Sequence, residues 1–118
     1  MRCIFKVVST AEWSEAERLR EYRGSAKDRV DGFLHFSNAG QVPQTLAKHY
    51  AGLNDLVLVC VSAERLGPSL KYEAARDCQL YPHLYGPLPL SAVAWARPIA
   101  RRADGSFVLP AELDTSAT

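Results

Sequence analysis

The sequence has no CxxC pair, no HxxxH pair, no GxGxxG and no GxxxxGK[ST], and its three cysteines, Cys3, Cys60 and Cys78, stand far apart. Metal sites usually draw on local spacings of the first two kinds, so no metal is expected. Rossmann and P-loop nucleotide binding depend on the last two and are not supported. Three cysteines cannot all be paired, which points to a reducing compartment. Cys3 and Cys60 fall in apolar strand-like runs and read as core. Cys78, between Asp77 and Gln79, is the accessible one, and would need a nearby base to act as a nucleophile. No apolar run approaches the roughly 18 to 20 residues of a membrane span, and the N-terminus lacks a signal-peptide core. The expectation is a cytoplasmic protein with no membrane association. Charge of one sign is also scarce: a formal net charge of +1 gives no long-range field for gathering nucleic acid. The nearest approach to a basic patch is Arg97, Arg101 and Arg102, which reads as a solvated strand edge or turn.

What the chain does have is ordinary globular material. With 118 residues, 47% apolar and 23% charged, it suits one domain with a proper core and is too short for two. The domain is expected over 1–112, with a flexible tail at 113–118. Cys3 to Val8 reads as a first strand, near-continuously apolar and therefore central. Ser9 and Glu12 form a capping-box pattern that opens a short helix, with Trp13 and Ala16 toward the sheet and Gly24 as its stop. Ser25 to Asp31 reads as a loop or a single helical turn, and Gly32 to Ser37 as a second strand. A main helix opens at Asn38 or Ala39 and ends at Gly52, with Val42, Leu46 and Tyr50 on one stripe and Pro43 in its first turn. Leu56 to Val61 is β-branched, uncharged and unbroken, the pattern of a strand buried on both faces. Leu70 to Glu73 is a short strand, Asp77 to Gly86 a loop, Val93 to Arg97 a further strand, and Asp104-Gly105 a hairpin turn.

The polar residues worth weighing are His35, Ser37, Glu73, His83 and Tyr85. His35 and Ser37 are two apart, so on a strand they share the face opposite Leu34 and Phe36. Tyr81, His83 and Tyr85 alternate between prolines, and an extended backbone puts all three on one side as an aromatic, hydrogen-bonding wall suited to a planar ring. The competing reading is that His83 and Tyr85 pin a proline-rich loop to the sheet. His35 with the His83–Tyr85 pair is expected to line one cleft. His49 reads as a helix C-terminal cation rather than a ligand. A Ser37–His83–Asp31 triad can be composed on paper, yet Ser37 has no nucleophile-elbow context.

Asp31-Gly-Phe-Leu-His-Phe-Ser, then Gln41-Val-Pro-Gln-Thr-Leu-Ala-Lys-His-Tyr, then Tyr81-Pro-His-Leu-Tyr-Gly-Pro-Leu-Pro-Leu together resemble the bacterial domain-of-unknown-function 952 family, from about Ile4 to about Pro110. The resemblance implies an α+β, ADP-ribosyltransferase-like fold: a split or strongly bent mixed sheet of about six strands with two main helices. Better-known members of that fold bind NAD in a central cleft, so NAD or a similar nucleotide is the implied ligand or substrate. In such relatives the first strand often carries a nucleotide-contacting His; Lys6 stands at the comparable place. A late-strand Glu commonly engages the ribose 2′-OH and stabilises an oxocarbenium-like transition state. Here Pro82 to Gly86 occupy that place, so either Glu73 reaches in or the protein binds a nucleotide without transferring ADP-ribose. Some relatives use histidine-rich sites on RNA 2′-phosphate, which His35 with His83 would resemble. The resulting assignment is His35, Ser37, Tyr81 and Tyr85 for ligand binding and Glu73 and His83 for catalysis. A non-catalytic nucleotide-binding module and a structural partner protein are the alternatives.

Overall fold

A computed structural model describes residues 2–75 and 77–113. In chain order its elements are β1 (Cys3–Ser9), α1 (Thr10–Leu19), β2 (Glu21–Tyr22), α2 (Ala26–Asp31), β3 (Leu34–His35), α3 (Val42–His49), β4 (Leu56–Ser62), β5 (Leu70–Ala74), β6 (Leu80–Leu84), β7 (Leu88–Pro89), β8 (Val93–Arg101) and β9 (Phe107–Val108). Three sheets result, ordered β1-β4-β8-β9, β3-β6-β5 and β2-β7. The fold is α+β. Where a mixed sheet was expected, every ladder among the described residues is antiparallel, although only β5–β6 and β8–β9 pair strands consecutive in the chain.

The run Leu56 to Val61 is the spine. All of β4 is buried, with β1 on one side and β8 on the other. Strand alternation then sorts the core into two layers. Ile4, Val8, Val57, Val59 and Val61 meet Trp13 and Ala16 of α1, together with Tyr22, Leu34, Phe36, Leu84 and Leu88. On the opposite face Cys3, Phe5, Val7, Leu56, Leu58 and Cys60 meet Val42 and Leu46 of α3, Ile99 and Leu113. Cys3 and Cys60 are buried and Cys78 is exposed.

Helix boundaries follow their caps. Ser9 Oγ accepts from the Glu12 amide at 3.1 Å and donates to the Glu12 carboxylate at 3.0 Å, which opens α1 as expected. The stop differs: α1 ends at Arg20, itself left-handed at φ 66°, because β2 must begin at Glu21 to reach β7. The segment read as a loop or single turn is α2, opened by a full capping box between Ser25 and Asp28 and closed by Gly32 in a left-handed conformation. With Gly32 spent as a cap, the β3 ladder shrinks to Leu34–His35. Asn38 caps a single 3-10 turn over Ala39–Gln41, and α3 proper starts at Val42 with Pro43 in its first turn and stops at His49, short of Gly52.

Asp77 to Gly86 is not all loop. Leu80–Leu84 is β6, the middle strand of its sheet. Pro82 is tolerated there because the β3 ladder stops before it, and its carbonyl still accepts the Phe36 N–H at 2.9 Å. The Asp104-Gly105 turn joins β8 to β9 as expected, with Arg101 opposite Phe107, and β8 runs on to Arg101. Leu113 is buried, so the expected tail is anchored at its first residue, and 114–118 lie outside the described residues.

One junction positions everything that follows. Phe5 and Ser37 exchange two backbone hydrogen bonds of 2.8 Å, the bridge between the four-stranded and three-stranded sheets. The preceding residue, Phe36, hydrogen-bonds instead to Pro82 of β6, so adjacent residues tie to different sheets. Apart from that pair, β1 and β3 share no ladder, and the sheet is split there.

Candidate functional site

The split holds a cleft of about 930 Å³. Phe5, Val7, Phe36 and Leu58 give it an apolar floor. One wall is α3, through Gln44, Thr45, Lys48 and His49; the facing wall carries Phe33, His35, Tyr81 and His83; α2 contributes Ser25 to Asp28.

On the His35 side the centre of the arrangement is Asp28, a buried carboxylate that the sequence reading passed over. Its Oδ2 takes the Lys6 ammonium at 3.0 Å and the Ser25 amide at 3.0 Å. Its Oδ1 faces His35 Nδ1 at 2.5 Å and accepts the His35 amide at 3.3 Å. Burial, the largest influence, acts to raise the Asp28 pKa. The hydrogen bond from His35, the Lys6 charge and the Ser25 amide outweigh it and hold the carboxyl well below the usual range. Lys6 is pulled down by desolvation against the partial support of Asp28, and its ammonium also donates to His35 O at 2.7 Å. Lys6 therefore ties β1, α2 and the end of β3 together across the split. His35 Nε2 faces Asp31 Oδ2 at 3.0 Å, so both ring nitrogens already have carboxylate partners and the open part of the ring is its face. The signal available in the sequence was the Ser25-x-x-Asp28 spacing, a capping box that also fixes where the carboxylate sits.

The His83 side is built by register. His35 lies opposite His83 in the β3–β6 ladder, and Glu73 and Lys71 of β5 flank β6 from the other side. Glu73 Oε1 accepts the Tyr85 hydroxyl at 2.6 Å and contacts His83 Nδ1 at 2.8 Å. Those two contacts, the Tyr85 bond foremost, hold Glu73 below the usual carboxylate range. An ionised carboxylate only accepts, so Nδ1 carries a proton and donates, and in the neutral form of the ring the lone pair is on Nε2. Nε2 has no hydrogen-bond partner among the described residues, and His83 lines the cleft. A carboxylate-oriented imidazole of this kind is equipped to accept a proton from a bound hydroxyl or water.

Phe33, unremarked in the sequence because it falls at a strand entry, joins the two sides. Its ring stacks on His83 with centroids 4.1 Å apart and planes 26° apart, and touches His35 at 4.5 Å and Tyr85 at 5.3 Å. A smaller cavity of about 290 Å³ lies beside Phe33 and Asp28, edged by Arg23, Arg29 and Gly86.

Thus His35, Ser37, Tyr81 and His83 all line the cleft, whereas Tyr85 and Glu73 sit behind His83 rather than in its lining. Ser37 Oγ pairs with Thr45 Oγ1 at 2.9 Å, Asp31 serves His35 and Lys27, and His83 serves Glu73, so the Ser37–His83–Asp31 triad is not assembled. Tyr81 donates to Asp77 at 2.8 Å. His49, read as a helix C-terminal cation, lies along the same cleft as His35, and burial together with the charges of Lys48, Lys27 and His35 pushes its pKa down, away from the cationic form.

Among the described residues no helix is long and apolar enough to cross a membrane. The profile of DUF952, a protein of unknown function, matches residues 7–96. The crystal structure of protein CC0527 from Caulobacter crescentus is 42% identical, with a TM-score of 0.89 over 95% of this chain and 98% of that one. The solution NMR structure of CC0527 is 44% identical, with a TM-score of 0.80 over 89% of this chain and 90% of that one. No curated protein matches the sequence.

Proposed function

This chain belongs to the DUF952 family, and we propose that it binds a nucleotide of the NAD type in the split of the sheet, with His83 as the base that acts on it. The observation carrying this reading is the Phe33–His83 pair on the cleft wall: two rings face to face with centroids 4.1 Å apart, an aromatic layer two rings deep, with Glu73 at His83 Nδ1 to fix the tautomer. A nicotinamide or adenine ring fits such a layer by offset stacking, while the Nε2 lone pair of His83 takes a ribose hydroxyl. Ser37 and Tyr81 are further hydroxyl groups along the same cleft. A cleft opened at a split between two antiparallel sheets also suits the ADP-ribosyltransferase-like architecture that the family resemblance implies.

The second reading, binding without turnover, is favoured by the position of Glu73, whose carboxylate is spent on Tyr85 and His83 rather than turned into the cleft. One pair of measurements decides. Isothermal titration with NAD should saturate, and nicotinamide should accumulate with time in wild type and vanish in His83→Ala. Saturation without nicotinamide release leaves the binding module; no saturation by NAD or nicotinamide removes both readings.

A further inference from the structure

We propose that the mouth of the cleft between α2 and α3 is a phosphoryl-anion subsite formed by Lys27, Lys48 and His49. The inference deepens the nucleotide reading by assigning the charged part of the ligand, and rests on that reading only for what is attached to the phosphate. Two successive helices deliver these three groups to one cleft, Lys27 from α2 and Lys48 with His49 from the last turn of α3. The charges that act on His49 are Lys48, Lys27 and His35, all of one sign. The carboxylates nearby have other partners. Asp28 is closed into its contacts with Lys6, Ser25 and His35. Asp77, which lines the same cleft, accepts from the Gln79 amide, the Tyr81 hydroxyl and, at 3.4 Å, Gln44 Nε2, and feels Lys48 at longer range. Asp31 is divided between Lys27 at 3.2 Å and His35 at 3.0 Å. Lys48 has no ion pair among the described residues.

Concentrated like charge at a cleft mouth is unfavourable until an anion enters, and then each cation adds to the attraction. Gln44, whose Nε2 reaches Asp77 Oδ2 at 3.4 Å, and Thr45, whose hydroxyl meets Ser37 Oγ at 2.9 Å, line the same stretch as neutral polar groups that an entering phosphate would have to draw from those partners. The subsite lies on the α3 wall and the aromatic layer on the facing one, so a phosphate on α3 and a ring on Phe33–His83 span the cleft.

The test is an NMR titration of the His49 imidazole in the full chain, with and without inorganic pyrophosphate, beside a separate titration with nicotinamide. Pyrophosphate should raise the His49 pKa by roughly one unit, since it places negative charge beside Lys48 and Lys27, which now act to lower it. Lys48→Ala and Lys27→Ala should each weaken pyrophosphate binding by about 5-fold or more and leave the nicotinamide titration unchanged. An unmoved His49, or lysine variants that bind pyrophosphate as wild type does, overturns the subsite. Nicotinamide binding that persists in that case leaves the ring assignment standing; pyrophosphate binding without nicotinamide binding supports the subsite and removes the ring assignment. ADP that binds more tightly than pyrophosphate assigns the anion to a nucleotide, and equal affinity assigns it to a free inorganic phosphate.

Discussion

His35 and His83 are register partners on neighbouring antiparallel strands, and their rings meet edge to face with centroids 5.6 Å apart. Each is oriented by a different carboxylate, Asp28 for one and Glu73 for the other, and both touch the ring of Phe33. A direct consequence concerns Phe33. In Phe33→Leu the apolar volume is nearly kept while the aromatic face is lost, so ligand affinity should fall roughly 3- to 10-fold, the worth of a stacking contact. Calorimetry on the variant checks this, and an unchanged affinity would remove the ring from the binding surface.

Glu73→Gln keeps shape and hydrogen-bonding capacity but no longer forces the proton onto His83 Nδ1. Nicotinamide release should drop by about 100-fold while NAD binding and the melting temperature stay close to wild type. Because Glu73 is only partly buried, a large loss of melting temperature is the outcome that would recast it as a structural residue.

Asp28→Asn should be strongly destabilising, by about 3–5 kcal/mol in urea unfolding, since it leaves the Lys6 ammonium buried without its counter-charge. His35→Ala takes away one of the donors to that carboxylate and should cost about 1–3 kcal/mol, so a variant made to test ligand contact also reads out in stability.

The same pair gives a pH dependence. The folded Asp28 pKa lies below the unfolded value near 3.9. Its contribution is therefore fully present above that unfolded value and is lost as pH falls toward the folded one. Wild-type stability should decline as pH drops below about 4, and Asp28→Asn, already without the charge, should show a shallower decline over the same range.

Gly24 and Gly32 offer a controlled comparison. Both have positive φ, 104° and 86°, but a Cβ on Gly24 would stand 2.7 Å from Leu34 Cδ2 and 2.9 Å from Asp28 Cβ, whereas one on Gly32 meets nothing within 4 Å. Gly32→Ala should cost about 1 kcal/mol of backbone strain, and Gly24→Ala clearly more, since it also pushes on the Asp28 cluster. Equal melting temperatures for the two variants would show that the Leu34 contact yields freely.

Which parts of this architecture were legible in advance follows from how local their causes are. The spine at Leu56 to Val61 and the start of α1 at Ser9 announce themselves through composition and a cap, both read within a few residues. β6 does not, because Tyr81-Pro82-His83 has a proline where a middle strand should not, and only the place where the β3 ladder stops makes it acceptable. The meeting of His35 with His83 could be anticipated from two alternating polar faces. Asp28 could not, because its meaning depends on Lys6, which reaches it only once β1 and α2 are packed together. A lysine in an apolar strand is a warning that a carboxylate is owed somewhere, and beside the Ser25-x-x-Asp28 capping spacing it is the sign in the sequence that pointed there.

The Phe5–Ser37 pairing also sets how the molecule can breathe. Two amides form the backbone bridge between the four-stranded and three-stranded sheets, and Lys6, holding both Asp28 and the carbonyl of His35, is a side-chain brace beside it. Rotation of one sheet against the other is thus resisted at a point rather than along a ladder, and its pivot lies beside the cleft floor. The Phe5 and Ser37 amides should exchange with solvent ahead of those along β4, and a molecule lodged in the split should slow them first.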